Sequence, residues 1–243
     1  MAETDVKKIV RMDYSAYFAD NEKLYDTTSE EVAKEAGIYN ESYTYGPMAY
    51  IVGSGELFPA LEEAISKASV GEEAEVVIPS EDAAGARDPS MIETHPIREF
   101  HKRDMNPYPG MQVSLGSRTG SVLSVGAGRV KVDFNSPLAG HDLLYRFTIR
   151  EVVEDKTEKA KAVMAARFGD GEGFSFDFPE GKVSVTLPDA VKFNPEWHTV
   201  KLKAVRSLRE AFGVDTVEFV EVWSVSRKEE PKQDEAEGEP AAE

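Results

Sequence analysis

Up to residue 153 this chain reads almost entirely as short strands and turns, and that pattern limits the fold more than any other feature. Val6–Tyr17 is strand-like, with Ile9 and Val10 apolar and Met12, Tyr14 and Ala16 alternating. Ser29–Ala36 is a short helical window stopped by Gly37. Pro59–Ala68 is a second, with Leu61, Ala64, Ile65 and Ala68 on one face. Val70–Glu72 reads as a turn and Ala74–Ile78 as a buried strand. Leu143–Val153, rich in aromatic and β-branched residues, reads as another strand.

Two segments depart from this pattern. Met91–Phe134 carries Pro96, Pro107 and Pro109, then short strands at Val113–Leu115, Val122–Val125 and Val130–Phe134 between glycine turns. The strands on either side could pair without it, so it reads as an inserted small β domain. From Lys156 the periodicity changes. Lys156–Phe168 is helical, and Phe174, Phe176 and Phe178 alternate, as do Val183, Val185 and Leu187, across the turn Pro179–Gly181. Asn194-Pro195 is a helix start, and Gly213 is its stop. Trp197, Val200, Lys201, Ala204, Val205, Leu208, Ala211 and Phe212 share one face of that helix, and a final strand runs from Val214 to Val225. The order helix, strand, strand, helix, strand makes a C-terminal α+β domain. Residues 227–243 hold seven acids, three bases and no large apolar residue, a composition that predicts a disordered acidic tail.

The 243 residues suit one large domain or two to three small ones. Acids outnumber bases 45 to 28, for a net charge of −17. That balance argues against nucleic acid as a partner, because phosphate backbones require concentrated Lys and Arg. No apolar run approaches the ~20 residues of a membrane span. The absence of cysteine removes disulfides, thiol nucleophiles and Cys-based zinc sites. With no secretory signal at the N-terminus, the expectation is a cytoplasmic protein that does not bind membranes. His95, His101, His141 and His198 lack metal-ligand spacing, so no metal is expected. Gly53-Ser54-Gly55 lacks the third glycine of a dinucleotide loop, and Gly169–Gly173 lacks a calcium-loop ligand pattern; no cofactor is expected.

What remains is a set of aromatic and apolar residues around one acid: Tyr14, Tyr25, Asp26, Met48, Leu57, Phe58, Leu61 and Tyr145. Composition alone would place them in a core. Their surroundings point further. Asp13-Tyr14-Ser15-Ala16 is similar to an opening strand, and Leu24-Tyr25-Asp26-Thr27-Thr28 to an "F-D-T/S-S" segment. Val52–Glu62 resembles "G-x-x-E-V/L-I-P-G-L/W-E", Val70–Glu73 a "V-G-E" turn and Glu81–Gly85 "E-x-A-Y-G". In this order, over Val6–Val153, the motifs resemble those of the FKBP-type peptidyl-prolyl isomerases. Asn135–Gly140 resembles the "N-H-P-L-A-G" return of SlyD-like members, which carry a chaperone domain in the flap. The C-terminal addition resembles that of long archaeal members.

The resemblance implies an α+β fold: an FKBP-like antiparallel sheet wrapped on a short helix, with an inserted small β domain and a C-terminal α+β domain. The implied limits are 1–86 with 135–154, then 87–134, 155–226 and the tail 227–243. It implies a prolyl isomerase and folding chaperone acting on Xaa-Pro bonds of unfolded or partly folded client polypeptides; the rival is a dimeric holdase with weak or lost isomerase activity. Tyr14, Tyr25, Asp26, Phe58 and Tyr145 would be catalytic, and Met48, Leu57, Leu61 and Ala84 would touch substrate. The Phe58 N–H would hold the substrate carbonyl. Ala84 stands where the family has a pocket tyrosine, and Met48 replaces an aromatic residue, so reduced isomerase activity is expected. Met91, Ile92, Phe100, Met105, Tyr108 and Met111 would form the chaperone surface. A homodimer through the C-terminal domain is implied as well.

Overall fold

The structure, a computed structural model, describes residues 7–169 and 171–224. The acidic tail therefore lies outside the described residues, as does Val225 of the expected last strand.

Three sheets organise the described residues. The first has five strands: β1 (Ile9–Phe18), β2 (Lys23–Thr27), β3 (Met48–Ile51), β4 (Glu73–Ile78) and β9 (Leu143–Val152). Their order is β2-β1-β9-β4, with β3 also pairing β1. β1 is long enough to hold two partners on one edge. Its first half pairs β3, from Ile9↔Ile51 to Met12↔Met48. Its second half pairs β2, from Ser15↔Thr27 to Phe18↔Lys23. Asp13 and Tyr14 lie in the gap between these partners. Thr28 closes the gap: its N–H donates to the Tyr14 carbonyl, and its Oγ1 accepts from the Tyr14 N–H, both at 3.0 Å.

The strands alternate as a half-buried sheet requires. Val10 and Met12 of β1 share one core with Leu143, Phe147 and Ile149 of β9. Helix α2 (Pro59–Lys67) lays Leu61 and Ile65 into that core. Proline at its first turn costs no hydrogen bond, since those N–H groups have no partner within the helix. Helix α1 (Glu30–Glu35) starts at Ser29, whose side chain accepts from the Val32 N–H. One expectation needs correction. β4 is a sheet edge, not a buried strand: Ile78 is buried while Val77 is 52% exposed.

The insertion forms its own four-stranded sheet, in the order β5-β8-β7-β6. The strands are β5 (Ile92–Pro96), β6 (Gln112–Leu115), β7 (Arg118–Gly126) and β8 (Arg129–Asp133), with α3 (Ile97–His101) after β5. β5 and α3 carry no clear periodicity, so the sequence alone does not announce them. Phe100, Val113, Val122, Val130, Val132 and Phe134 make the core of this unit. Gly120 permits the close approach of two strands, for a Cβ there would lie 2.6 Å from the Asp133 carbonyl oxygen.

The C-terminal segment contains α4 (Lys156–Phe168), β10 (Ser175–Asp177), β11 (Lys182–Thr186), α5 (Asp189–Lys192), α6 (Pro195–Phe212) and β12 (Thr216–Val220). The start of α6 at Asn194 and its stop at Gly213 stand where the sequence places them. Asp155 accepts from the Glu158 N–H and Asn194 from the Glu196 N–H, while Gly169 and Gly213 end α4 and α6 at φ +87° and +63°. β10 and β11 form the expected hairpin, and β12 pairs β11 in parallel, as a strand after a crossover helix does. This unit shares a core with the first sheet: Ile9, Ile51 and Val153 pack with Val163, Met164 and Trp197.

Candidate active site

The gap in the β1 edge sets the position of the site. There β1 presents Tyr14, and β2 presents Asp26 close by. The Tyr14 hydroxyl donates to the Asp26 carboxylate at 2.7 Å. Burial, followed by this hydrogen bond to a carboxylate, holds the Tyr14 pKa far above the ordinary phenol value. The phenol therefore stays a donor, and Asp26 is held in one orientation.

Around this pair stands an aromatic box. Tyr145 of β9 lies 6.1 Å from Tyr14, 6.3 Å from Tyr25 and 6.3 Å from Phe58, ring centre to ring centre. The Tyr25–Tyr145 and Phe58–Tyr145 contacts are edge-on, the arrangement ring quadrupoles favour. Phe18 adds a contact to Tyr25 at 5.1 Å and to His141 at 4.7 Å. Burial above all, with the neighbouring phenol and Asp26 charge adding to it, raises the Tyr25 pKa; burial is also the largest cause of the rise at Tyr145. The Tyr25 hydroxyl is buried without a well-formed hydrogen bond.

The approach to α2 forms the remaining wall. Leu57 and Phe58 pack half-buried against the core. Phe58 is the N-cap of α2, so its N–H takes no part in the helical ladder. Glu62, one turn on, fixes the approach: it accepts from the Gly55 N–H at 2.8 Å and from the Tyr50 hydroxyl.

The structure thus brings Tyr14, Tyr25, Asp26, Met48, Leu57, Phe58 and Tyr145 to one core cluster or its rim. Two expected contacts are placed differently. Leu61 is 1% exposed and forms the floor beneath the site, because its helix face turns to the sheet. Ala83, not Ala84, packs on the cluster, since the turn from Pro79 to Gly85 directs the earlier alanine inward. Phe18 and His141 were not singled out from the sequence. Phe18 had a signal, as it continues the alternation Met12, Tyr14, Ala16; His141 had none.

The chaperone candidates separate by burial. Phe100 has no exposed surface and anchors the core of the insertion, which removes it from any client-binding face. Its position on the inner face of α3 is the cause. Met91, Met105 and Met111 are partly buried against that core, Ile92 is half-buried, and Tyr108 is 62% exposed.

Aromatic rings around a tyrosine–aspartate pair, set on a sheet wrapped over a short helix, make an apolar pocket with one oriented carboxylate at its rim. Comparison with known proteins gives the family of the chain. Residues 2–100 match the FKBP-type peptidyl-prolyl cis-trans isomerase family, and the chain belongs to that family. Residues 94–138 match the family described as FKBP26, IF domain, and residues 156–224 the FKBP26 C-terminal family. A short-type peptidyl-prolyl cis-trans isomerase of Methanocaldococcus jannaschii is 38% identical over 136 residues, covering 56% of this chain and 87% of that protein. The SlyD FKBP-type isomerase of Helicobacter pylori is 29% identical over 135 residues, 52% of this chain and 69% of that protein.

Proposed function

We propose that the protein accelerates cis-trans exchange at Xaa-Pro bonds of unfolded polypeptides and shields those polypeptides through its insertion. The observation that carries this reading is the Tyr14–Asp26 hydrogen bond enclosed by Tyr25, Phe58 and Tyr145. An X-Pro bond resists rotation by about 18–20 kcal/mol because its amide is conjugated. Twisting it breaks the conjugation and lowers the charge separation across C–N. A box of aromatic rings solvates the twisted, less polar bond better than the planar one, which lowers the barrier. The Phe58 N–H holds the substrate carbonyl still while the prolyl side turns. Asp26 orients the Tyr14 phenol on the rim. Neither a nucleophile nor a proton transfer is needed.

Client capture falls to the insertion. Its exposed Tyr108 and Leu123 and its partly buried methionines offer adaptable apolar contact. Self-association falls to the C-terminal unit, where Phe193 (75% exposed) meets Trp223 (65% exposed) edge-on at 5.6 Å. Two such patches facing each other would cover both rings. No helix among the described residues is long and apolar enough to cross a membrane. A chain without cysteine suits the reducing cytoplasm.

The deciding experiment follows exchange of a Xaa-Pro peptide by NMR, alongside refolding of a proline-limited protein. Wild type should accelerate both, and Asp26→Ala should lose about ten- to a hundredfold in peptide exchange, as removal of a charge-assisted hydrogen bond predicts. Uncatalysed peptide exchange together with suppressed aggregation would favour the holdase, a reading suggested by Ala84 and Met48.

A further inference from the structure

A cleft of about 720 Å³ opens beside the isomerase pair. Tyr14, Asp26 and Met48 line its inner end. Its near wall is the segment from Ser42 to Pro47, and its far wall is the last turn of α4, at Ala165, Ala166 and Gly169. That far wall belongs to the C-terminal unit. We propose that this unit completes the substrate groove: a client whose proline sits among Tyr14, Tyr25 and Tyr145 continues as an extended strand between the Ser42–Pro47 segment and α4. The inference rests on the isomerase reading and adds a subsite to it.

The occupant follows from continuity. The cleft shares Tyr14, Asp26 and Met48 with the site, so whatever chain enters one leaves along the other. The size fits several residues, since pockets of 300–1,000 Å³ hold ligands of drug size. The far wall is open because its residues are small. Ala165 is half-buried, Ala166 is exposed, and Gly169 reverses the chain at φ +87°. A larger side chain at any of them would reach into the space.

Both walls are held. Ala162, Val163 and Met164 fix α4 in the core shared with Ile9 and Ile51. Arg167, on the same turn, pairs with Glu56 and donates to Ser207 at 2.7 Å, which tethers α4 to the approach of α2 and to α6. On the near wall Tyr45 stacks on Tyr39 at 5.5 Å and its hydroxyl accepts from the Asn40 N–H. Gly46 donates to the Thr28 carbonyl at 2.8 Å. Tyr43, 64% exposed, is left free to lie along a bound chain. Among the described residues the lining holds one carboxylate, Asp26, and no cation. The C-terminal end of α4 adds partial negative charge. The groove therefore takes apolar or basic client side chains and disfavours acidic ones.

The test uses the full chain and three substrates: a tetrapeptide with one Xaa-Pro bond, and the same peptide extended by about four residues on its N-terminal or its C-terminal side. Ala166→Trp fills the groove from an exposed helix position, and Tyr43→Ala removes the opposite wall. Each should leave the tetrapeptide rate unchanged and lower kcat/KM for one of the extended peptides by about tenfold, the loss of ~1.4 kcal/mol of contact. Equal rates of wild type and both variants on every substrate would overturn the groove. So would a parallel fall on all three substrates, which would signal a distorted pocket. A wild type inactive on the tetrapeptide would instead sink the isomerase reading itself, so the two failures are distinct.

Discussion

Two tyrosines of the site differ in a way that composition conceals. The Tyr14 hydroxyl donates to Asp26 at 2.7 Å, while the Tyr25 hydroxyl is buried without such a partner. A hydrogen bond to a charged group contributes about 1.5–3 kcal/mol, and an unpaired buried hydroxyl costs its desolvation. Tyr14→Phe should therefore lower the unfolding free energy by about 2 kcal/mol, and Tyr25→Phe should leave it unchanged or raise it by about 1 kcal/mol. Urea melts of the two variants test the contrast; equal losses in both would show that Tyr25 has a partner in solution. Tyr14 and Asp26 were legible because family motifs and alternation mark them. The poorly aligned contact of the Tyr25 hydroxyl with Tyr145 was not, since it depends on where neighbouring rings end. The packing of Ala83 on the cluster was also hidden, because the sequence does not say which of two adjacent alanines a turn will set against a core.

At the scale of elements, the joint between the isomerase sheet and the insertion is a polar clasp. Asp133, 3% exposed, accepts from the Asn135 N–H at 2.8 Å and pairs with Arg87. Asn135 accepts from the Asp88 N–H at 2.9 Å and donates to the Asp88 carbonyl, and Gly140 donates to Gly85. Burial works against the Asp133 carboxylate, but the bonds from Asn135 and Arg87 outweigh it, and its pKa lies below the usual value. A carboxyl with a folded pKa below its unfolded pKa of about 3.9 stabilises the fold above that pH, and the contribution fades as pH falls through the folded value. Between pH 5 and pH 2 the wild type should lose more stability than Asp133→Asn, whose residue 133 does not titrate. Parallel acid melts of the two proteins would contradict the clasp. The ends of α6 are legible at this scale because Asn194 and Gly213 act on their own nearest neighbours. β5 was missed because it is an edge strand that ends in Pro96 and carries Glu93 and His95, which hide its alternation.

On the scale of the whole molecule, the C-terminal unit and the isomerase sheet are joined through one core. Met164 and Val163 of α4 pack with Ile9 of β1 and Ile51 of β3, and Trp197 belongs to the same cluster. The Lys7 N–H also donates to the Glu210 carbonyl at 3.2 Å. Units that share a core unfold together, so loss of isomerase activity and the change in Trp197 fluorescence, read in a Trp223→Phe background, should coincide in denaturant. Met164→Ala should cost about 2–5 kcal/mol and shift both transitions equally. A fluorescence change that precedes the loss of activity would mean that the units are energetically separate. The insertion has its own core around Phe100 and lies outside this shared cluster.

The sequence by itself determined what depends on near neighbours: the caps, the alternating strands of β1 and β9, the hairpin of β10 and β11, and the motifs that mark the family. Those signals are local, because a cap or a pleat is set within a few residues. Tertiary structure alone decided which face of α4 meets the isomerase sheet, which edge β4 occupies and where Phe100 turns. It also decided that Ala165 and Ala166 stand across a cleft from Tyr43. These are contacts between residues distant along the chain, more than a hundred positions apart in the case of α4, and a periodic pattern shows that a face is apolar without showing what covers it.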